Sequence, residues 1–285
     1  MDTELAHTFL AVVMAGSFAE AAQKLCVTQS TVSARIQRLE QQLGAQLFNR
    51  EKSGSVLTSA GKRFQRHAVV LTRTVENARQ DVGTASGFRH NLAVGGRLGL
   101  WEGLLTRWLA TFAASMPEVS IRSFVGFEED LMQALIDGRM DIAVMYTPQV
   151  RPGLEIERLF DDQLVMVSTQ ATLSSGPGPD YVHVDWGPEF LTQHQRTFPA
   201  YSGSRLIVNM GWLGVEYLMH AGGTGYFPLR TVEAHVRAGR LHRVPAPTFL
   251  LPAYMCYSTR EDSGPFQTAL ESLRHVATLA RGEPA

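Results

Sequence analysis

The chain has 285 residues, 45% of them hydrophobic and 19% charged, with a formal net charge of −1. That length favours two or three domains, and that composition excludes a disordered chain. Two cysteines, Cys26 and Cys256, stand far apart with no pairing motif, so a reducing compartment and a cytoplasmic location are expected. No Lys or Arg precedes Lys24, so no positively charged secretory leader is expected. The apolar run from Phe9 to Ala22 is broken by Gly16, Ser17 and Glu20, which argues against a membrane span.

The net charge conceals an asymmetry. Residues 1–90 carry 11 Lys and Arg against 7 Asp and Glu, a balance of +4; residues 91–285 carry 15 against 20, a balance of −5. A basic first portion on an acidic body fits polyanion binding, although an uneven surface of no special purpose gives the same figures.

Leu5, Phe9, Val12 and Val13 share one helical face, which predicts a helix over 3–15 ended near Gly16. Ser17-Phe-Ala-Glu20 is a capping box that opens a second helix, with Phe18, Ala21, Ala22 and Leu25 inward. Thr28 is a good N-cap for a third. In it Val32, Ile36, Leu39 and Leu43 form one stripe, and Gly44 stops it. Gln29, Ser30, Thr31, Ser33, Arg35 and Arg38 then lie on the other faces, mostly in the first turns. The short turn between the second and third helices has helix-turn-helix spacing. In that motif the second helix enters the major groove, where Gln pairs with adenine, Arg with guanine, and Ser or Thr with several bases. A solvated polar face on a three-helix bundle is the competing explanation.

After Gly44, two short apolar pieces flank a polar turn centred on Gly54, a hairpin wing that sets Arg50 and Lys52 toward phosphate. From Ser59 onward Phe64, Ala68, Leu71, Val75, Ala78 and Val82 alternate in steps of four and three, the spacing of a helix that pairs with another helix, and a two-fold dimer would set two recognition helices on two half-sites. A long helix packed on its own domain shows the same stripe.

Strands are predicted over 91–96, 119–125 and 141–146, with a helix beginning near Leu98, one over 102–114 and one over 129–136. This alternation implies α/β layers on a largely parallel sheet, with ligands at the carboxyl ends of strands. Further strands are predicted over 182–185 and 206–209, a helix over 212–221, and a Gly-rich turn into a strand over 222–228. The chain is expected to return to the first lobe near Pro252. Cys26 is expected to be buried packing. No nucleophile, cofactor-binding or metal constellation stands out, so neither enzymatic activity nor a cofactor is expected.

The motifs resemble those of the LysR-type transcriptional regulators. The likeness is carried by Gly16-Ser-Phe-Ala-Glu-Ala-Ala22, Val27-Thr-Gln-Ser-Thr-Val-Ser33, Ile36-Gln-Arg-Leu-Glu40, Leu47-Phe48-Asn-Arg50 and Leu57-Thr58-Ser-Ala-Gly61. It continues in Pro117-Glu-Val-Ser-Ile and in Leu135-Ile-Asp-Gly-Arg-Met-Asp-Ile-Ala-Val144. The resemblance implies an all-α winged helix-turn-helix head with a dimerising linker helix, followed by a two-lobed α/β periplasmic-binding-protein-like sensor. The implied division is 1–58 for the DNA-binding head, 59–88 for the linker helix and 89–285 for the effector-binding domain. Its first lobe takes about 89–162 and 252–285, and its second about 163–251.

The same resemblance places Gln29, Ser30, Thr31, Ser33, Arg35 and Arg38 at or beside promoter DNA, and Arg50 and Thr58 at phosphates. It implies a homodimer or homotetramer, a small-molecule effector, and contact with RNA polymerase. Two departures stand out. Ser53 and Val56 replace the usual wing arginines, which Lys52 only partly offsets. Leu98-Gly-Leu-Trp101 replaces the Ser or Thr that commonly holds a ligand carboxylate. The expected effector site is therefore Arg97, Gly99, Leu100, Trp101, Phe127, Tyr146 and Thr147, suited to a small aromatic or apolar effector that Arg97 and the helix amides allow to be anionic. Core packing of these aromatics, with no effector, is the alternative. The functions in competition are an effector-responsive promoter binder, a constitutive architectural DNA binder with a non-functional sensor, and an enzyme on the α/β portion.

Overall fold

The computed structural model describes residues 2–51, 54–83, 88–151, 153–171, 175–258 and 264–280. Lys52 lies outside the described residues, and so do the side chains of Arg50 and Val82.

Helix α1 (Thr3–Ala15) starts under Asp2, whose carboxylate accepts from the Glu4 amide, and ends at Gly16. Helix α2 (Phe18–Lys24) is capped by Ser17, whose hydroxyl accepts from the Glu20 amide at 3.1 Å. Helix α3 (Gln29–Leu43) is capped by Thr28 and ends at Gly44, at φ 66°, a left-handed turn that a residue without a Cβ enters cheaply. Strands β1 (Phe48–Glu51) and β2 (Gly54–Leu57) pair antiparallel with Phe48 opposite Leu57. This hairpin is the expected wing, and it makes "all-α" too narrow for the head. Helix α4 (Ser59–Gly83) follows.

These elements close over Leu5, Phe9, Val12, Val32, Ile36, Leu39, Phe48 and Phe64. The Phe9 ring lies 5.2 Å from Phe48 and 5.0 Å from Phe64. Each such side chain contributes about 1.5–3 kcal/mol by leaving water. Two expectations change here. Leu43 is not inward; it is the last residue of α3 and is 39% exposed. Phe64 and Ala68 are buried in the head's own core and so cannot serve as a dimer seam. Further along α4, Leu71 and Val75 are half-buried and Ala78 is exposed.

The second unit opens with β3 (His90–Gly96), α5 (Leu98–Leu100) and a π-helical stretch over Trp101–Leu105. The helix predicted from Glu102 is interrupted, because Glu102 and Gly103 leave helical dihedrals. Regular helix resumes only in α6 (Thr106–Ser115). Then come β4 (Val119–Val125), α7 (Glu128–Ile136), β5 (Ile142–Met145) and the long strand β6 (Leu154–Ser168). They are followed by β7 (Tyr181–Val184), α8 (Pro188–Thr197), β8 (Leu206–Val208), α9 (Gly211–Ala221), β9 (Thr224–Pro228) and α10 (Leu229–Arg237). Strand β10 (His242–Arg243), strand β11 (Phe249–Ser258) and helix α11 (Gly264–Ala280) complete the described chain.

One curled sheet runs β4-β3-β5-β11-β6-β9-β7-β8, with β10 on β6. The expectation of a largely parallel sheet holds only within each end. Strands β4, β3 and β5 are parallel, as are β9, β7 and β8. Between them β11 runs antiparallel to β5 and β6, and β6 antiparallel to β9. The chain passes between the two ends as long strands rather than through helices, and strands that travel in opposite directions pair antiparallel. The result is two α/β lobes joined by β6 and β11, with Leu251 facing Asp162 where they cross.

Candidate functional site

The exposed start of α3 is built by its cap. Thr28 Oγ1 accepts from the Thr31 amide at 3.2 Å and lies 2.8 Å from both the Ser30 and Thr31 hydroxyls. Gln29, Ser30 and Arg38 are exposed, while Thr31 and Ser33 are half-buried. Arg35 turns away from this face. Its guanidinium pairs with Glu4 of α1 and donates to Thr8 Oγ1 at 3.5 Å. Nothing in the spacing of α3 alone signals that partner, because Glu4 lies 31 residues away. The turn before α3 contains Cys26 at φ 53°, and this thiol is exposed rather than buried as expected, since the turn points it out of the head core.

The hairpin is tied to the helices on both sides. Glu40 Oε1 accepts from the amides of Leu47 (2.7 Å) and Phe48 (3.3 Å), which joins α3 to the start of β1. The Ser55 amide and hydroxyl donate to the Gly16 carbonyl at 2.9 and 3.0 Å. Thr58 Oγ1 donates to the Gln46 carbonyl (2.7 Å) and accepts from the Gly61 amide (3.0 Å), so its hydroxyl is engaged in starting α4.

A cavity of about 280 Å³ lies between the lobes. Of the expected effector residues, Arg97, Gly99, Phe127 and Tyr146 line it. Leu100, Trp101 and Thr147 do not. Leu100 is fully buried, and the Trp101 indole faces inward and donates to the Phe124 carbonyl at 2.8 Å. The second lobe supplies Trp186, Asn209, Met210 and Gly211, which the sequence reading did not select. Trp186 replaces Trp101 as the indole wall. A Cβ on Gly211 would stand 2.4 Å from the Trp186 ring, so only glycine lets this indole sit under the start of α9. Arg97 is not a free cation: it pairs with Glu128 at 3.1 Å, donates to the Asn209 carbonyl at 3.3 Å and lies 4.6 Å from the Phe127 ring centre.

Behind the cavity, Arg230 of α10 reaches across to the first lobe. It pairs with Asp162 at 2.7 Å, donates to the carbonyls of Gly99 and Glu102, and meets the Tyr146 hydroxyl at 3.3 Å. Tyr146 donates to Asp162 at 2.8 Å. Burial, reinforced by the Asp162 carboxylate, pushes the Tyr146 phenol well above its usual range, so it remains a donor. Helix α7 reaches from this cavity to the head: Phe127 and Asp130 line the cavity, and Ile136 is buried in the core of the amino-terminal helices. Among the described residues no group of three or more His, Cys, Asp or Glu could hold a metal ion, and no single helix is long and apolar enough to cross a membrane.

Residues 3–62 match the family described as bacterial regulatory helix-turn-helix protein, lysR family, and residues 85–278 match the LysR substrate binding domain. The chain is 30% identical over 240 residues to the HTH-type transcriptional regulator HdfR of Yersinia pestis, covering 80% of this chain and 81% of that one. It shares its fold with ArgP from Mycobacterium tuberculosis at a TM-score of 0.61, with 23% identity and 98% of each chain covered. It shares it also with full-length LysG from Corynebacterium glutamicum with bound effector Arg, at a TM-score of 0.57 and 17% identity, over 98% of this chain and 99% of that one. The chain therefore belongs to the LysR family and is a bacterial transcriptional regulator with a helix-turn-helix and a substrate-binding domain.

Proposed function

We propose that this regulator binds promoter DNA in the cytoplasm as a homodimer or homotetramer and that a small effector in the interlobe cavity alters that binding. The observation that carries the DNA reading is the exposed, hydroxyl-capped start of α3 beside a hairpin, with Gln29 and Ser30 uppermost. Gln29, Ser30, Thr31, Ser33 and Arg38 read or line the groove, and Arg50, Lys52 and the Thr58 segment track phosphates. The division follows the sequence: 1–58 for the head, 59–88 for the linker and 89–285 for a periplasmic-binding-protein-like sensor. Leu71, Val75, Ala78 and Val82 form the seam between linker helices. RNA polymerase is the further partner at the promoter.

The effector reading rests on the cavity between lobes joined by two long strands and clasped by Arg230. A ligand that prefers one lobe arrangement shifts the population toward it, and a ligand without that preference shifts nothing. LysG, which shares the fold, holds bound effector Arg.

The test is selection of duplexes from a randomised pool by the full chain, followed by titration of the selected site. Gln29→Ala is expected to cost on the order of 1–3 kcal/mol at that site and little on random duplex. Equal loss on both, or no duplex bound at low salt, removes the base-reading role.

A further inference from the structure

The charges around the interlobe cavity select the chemistry of its occupant, an inference that rests on the effector reading above. Arg97 is the only cationic side chain lining the cavity among the described residues. It is spent on Glu128, the Asn209 carbonyl and the Phe127 ring. Asp130, also in the lining, is exposed, stands at the edge the cavity shares with the groove between α7 and the head, and has no ion pair among the described residues. The two lining charges and Glu128 leave the site one unit negative. The starts of α7 and α9, both at the cavity, each offset about half a unit at most, so the fixed charges come close to cancelling and Asp130 is left as the charged side chain without a partner.

The walls favour the same kind of ligand as an unpaired carboxylate does. Phe127, Tyr146 and Trp186 supply aromatic rings, with Arg97 already over the Phe127 ring, while their polar atoms are absent or committed elsewhere. The Trp186 indole N–H donates to the Tyr226 carbonyl at 2.9 Å, and the Tyr146 hydroxyl donates to Asp162. Ring faces attract cations and repel anions. The first turn of α5 offers Leu98 and Gly99 rather than a hydroxyl for a carboxylate. The volume, about 280 Å³, suits a ligand of one or two rings rather than a larger molecule.

We propose that the effector is a small aromatic molecule bearing a protonated amine, with its ring against Trp186 and Phe127 and its ammonium toward Asp130. An anionic effector would have to displace Glu128 from Arg97 first.

Three probes with one ring and one substituent test this by calorimetry on the full chain at pH 7: benzylamine, benzyl alcohol and benzoate. Benzylamine is expected to bind about tenfold more tightly than benzoate, with benzyl alcohol between them. Asp130→Asn should bring that ratio close to one. Glu128→Gln, which releases Arg97, should turn the preference toward benzoate. Circular dichroism of each variant confirms that it is folded. Tighter binding of benzoate by the unaltered chain, a ratio untouched by Asp130→Asn, or no binding of any probe overturns the proposal. Duplex binding is measured in parallel without probe. A chain that binds its selected site but prefers benzoate loses this inference alone, whereas a chain that binds no duplex loses the regulator reading.

Discussion

The guanidinium of Arg35 and the carboxylate of Glu4 form an ion pair that joins α3 to α1. A base-reading candidate is thereby held against the head in the absence of DNA. Glu4→Ala releases it. The variant is expected to bind random duplex more tightly, and the slope of log affinity against log salt should steepen by up to about 0.9, the value of one added phosphate contact. Mobility shifts across a salt series measure this. An unchanged slope would mean that freed Arg35 reaches neither phosphate nor base.

The Arg230–Asp162 pair is buried, with Asp162 only 3% exposed. Removing one partner strands the other charge in a poorly solvated place. Arg230→Ala is expected to destabilise the chain by about 3–5 kcal/mol in urea unfolding. Arg230→Lys should recover part of that, since one ammonium cannot span Asp162 and the Gly99 and Glu102 carbonyls together. A loss below about 1 kcal/mol for Arg230→Ala would show that the clasp is dispensable.

His194 is fully buried among Tyr181, Tyr201 and Phe198, and neither ring nitrogen has a hydrogen-bond partner. Burial, helped by the nearby His183, lowers its pKa from 6.5 to about 4. Between those values the unfolded chain takes up a proton that the folded chain refuses. The stability contributed by the neutral ring is fully present above pH 6.5 and is lost as pH falls through about 4. His194→Phe, which keeps the ring packing, is expected to flatten this acid arm in melts taken from pH 7 to pH 4. Parallel curves for the two proteins would assign the acid loss to other groups.

Cys26 holds a left-handed conformation at φ 53°, which costs a residue with a Cβ about 1–2 kcal/mol. Glycine removes that strain and adds freedom to the unfolded chain, so Cys26→Gly is expected to raise stability by up to about 1 kcal/mol. Urea unfolding reads the difference. A loss would show that contacts of the thiol outweigh the dihedral.

The sequence by itself determined the helices of the head and where they begin and end. Its helices are marked by local devices: the caps Ser17 and Thr28, the stop at Gly44, and stripes at helical spacing. Such signals act within a few residues, so one stretch of chain contains all the information they need. The β3, β4 and α7 segments were legible for the same reason. What only the tertiary structure decided joins distant residues. Arg35 meets Glu4, Phe64 enters the core around Phe9, and Trp186 rather than Trp101 faces the cavity. Arg230 finds Gly99 across 131 residues of chain. The long strands β6 and β11 carry no simple alternation, because each is buried in parts on both faces as it passes between lobes. Periodicity reports which face of an element is apolar; it does not report which distant charge or ring will cover that face, since that depends on how the chain closes in three dimensions.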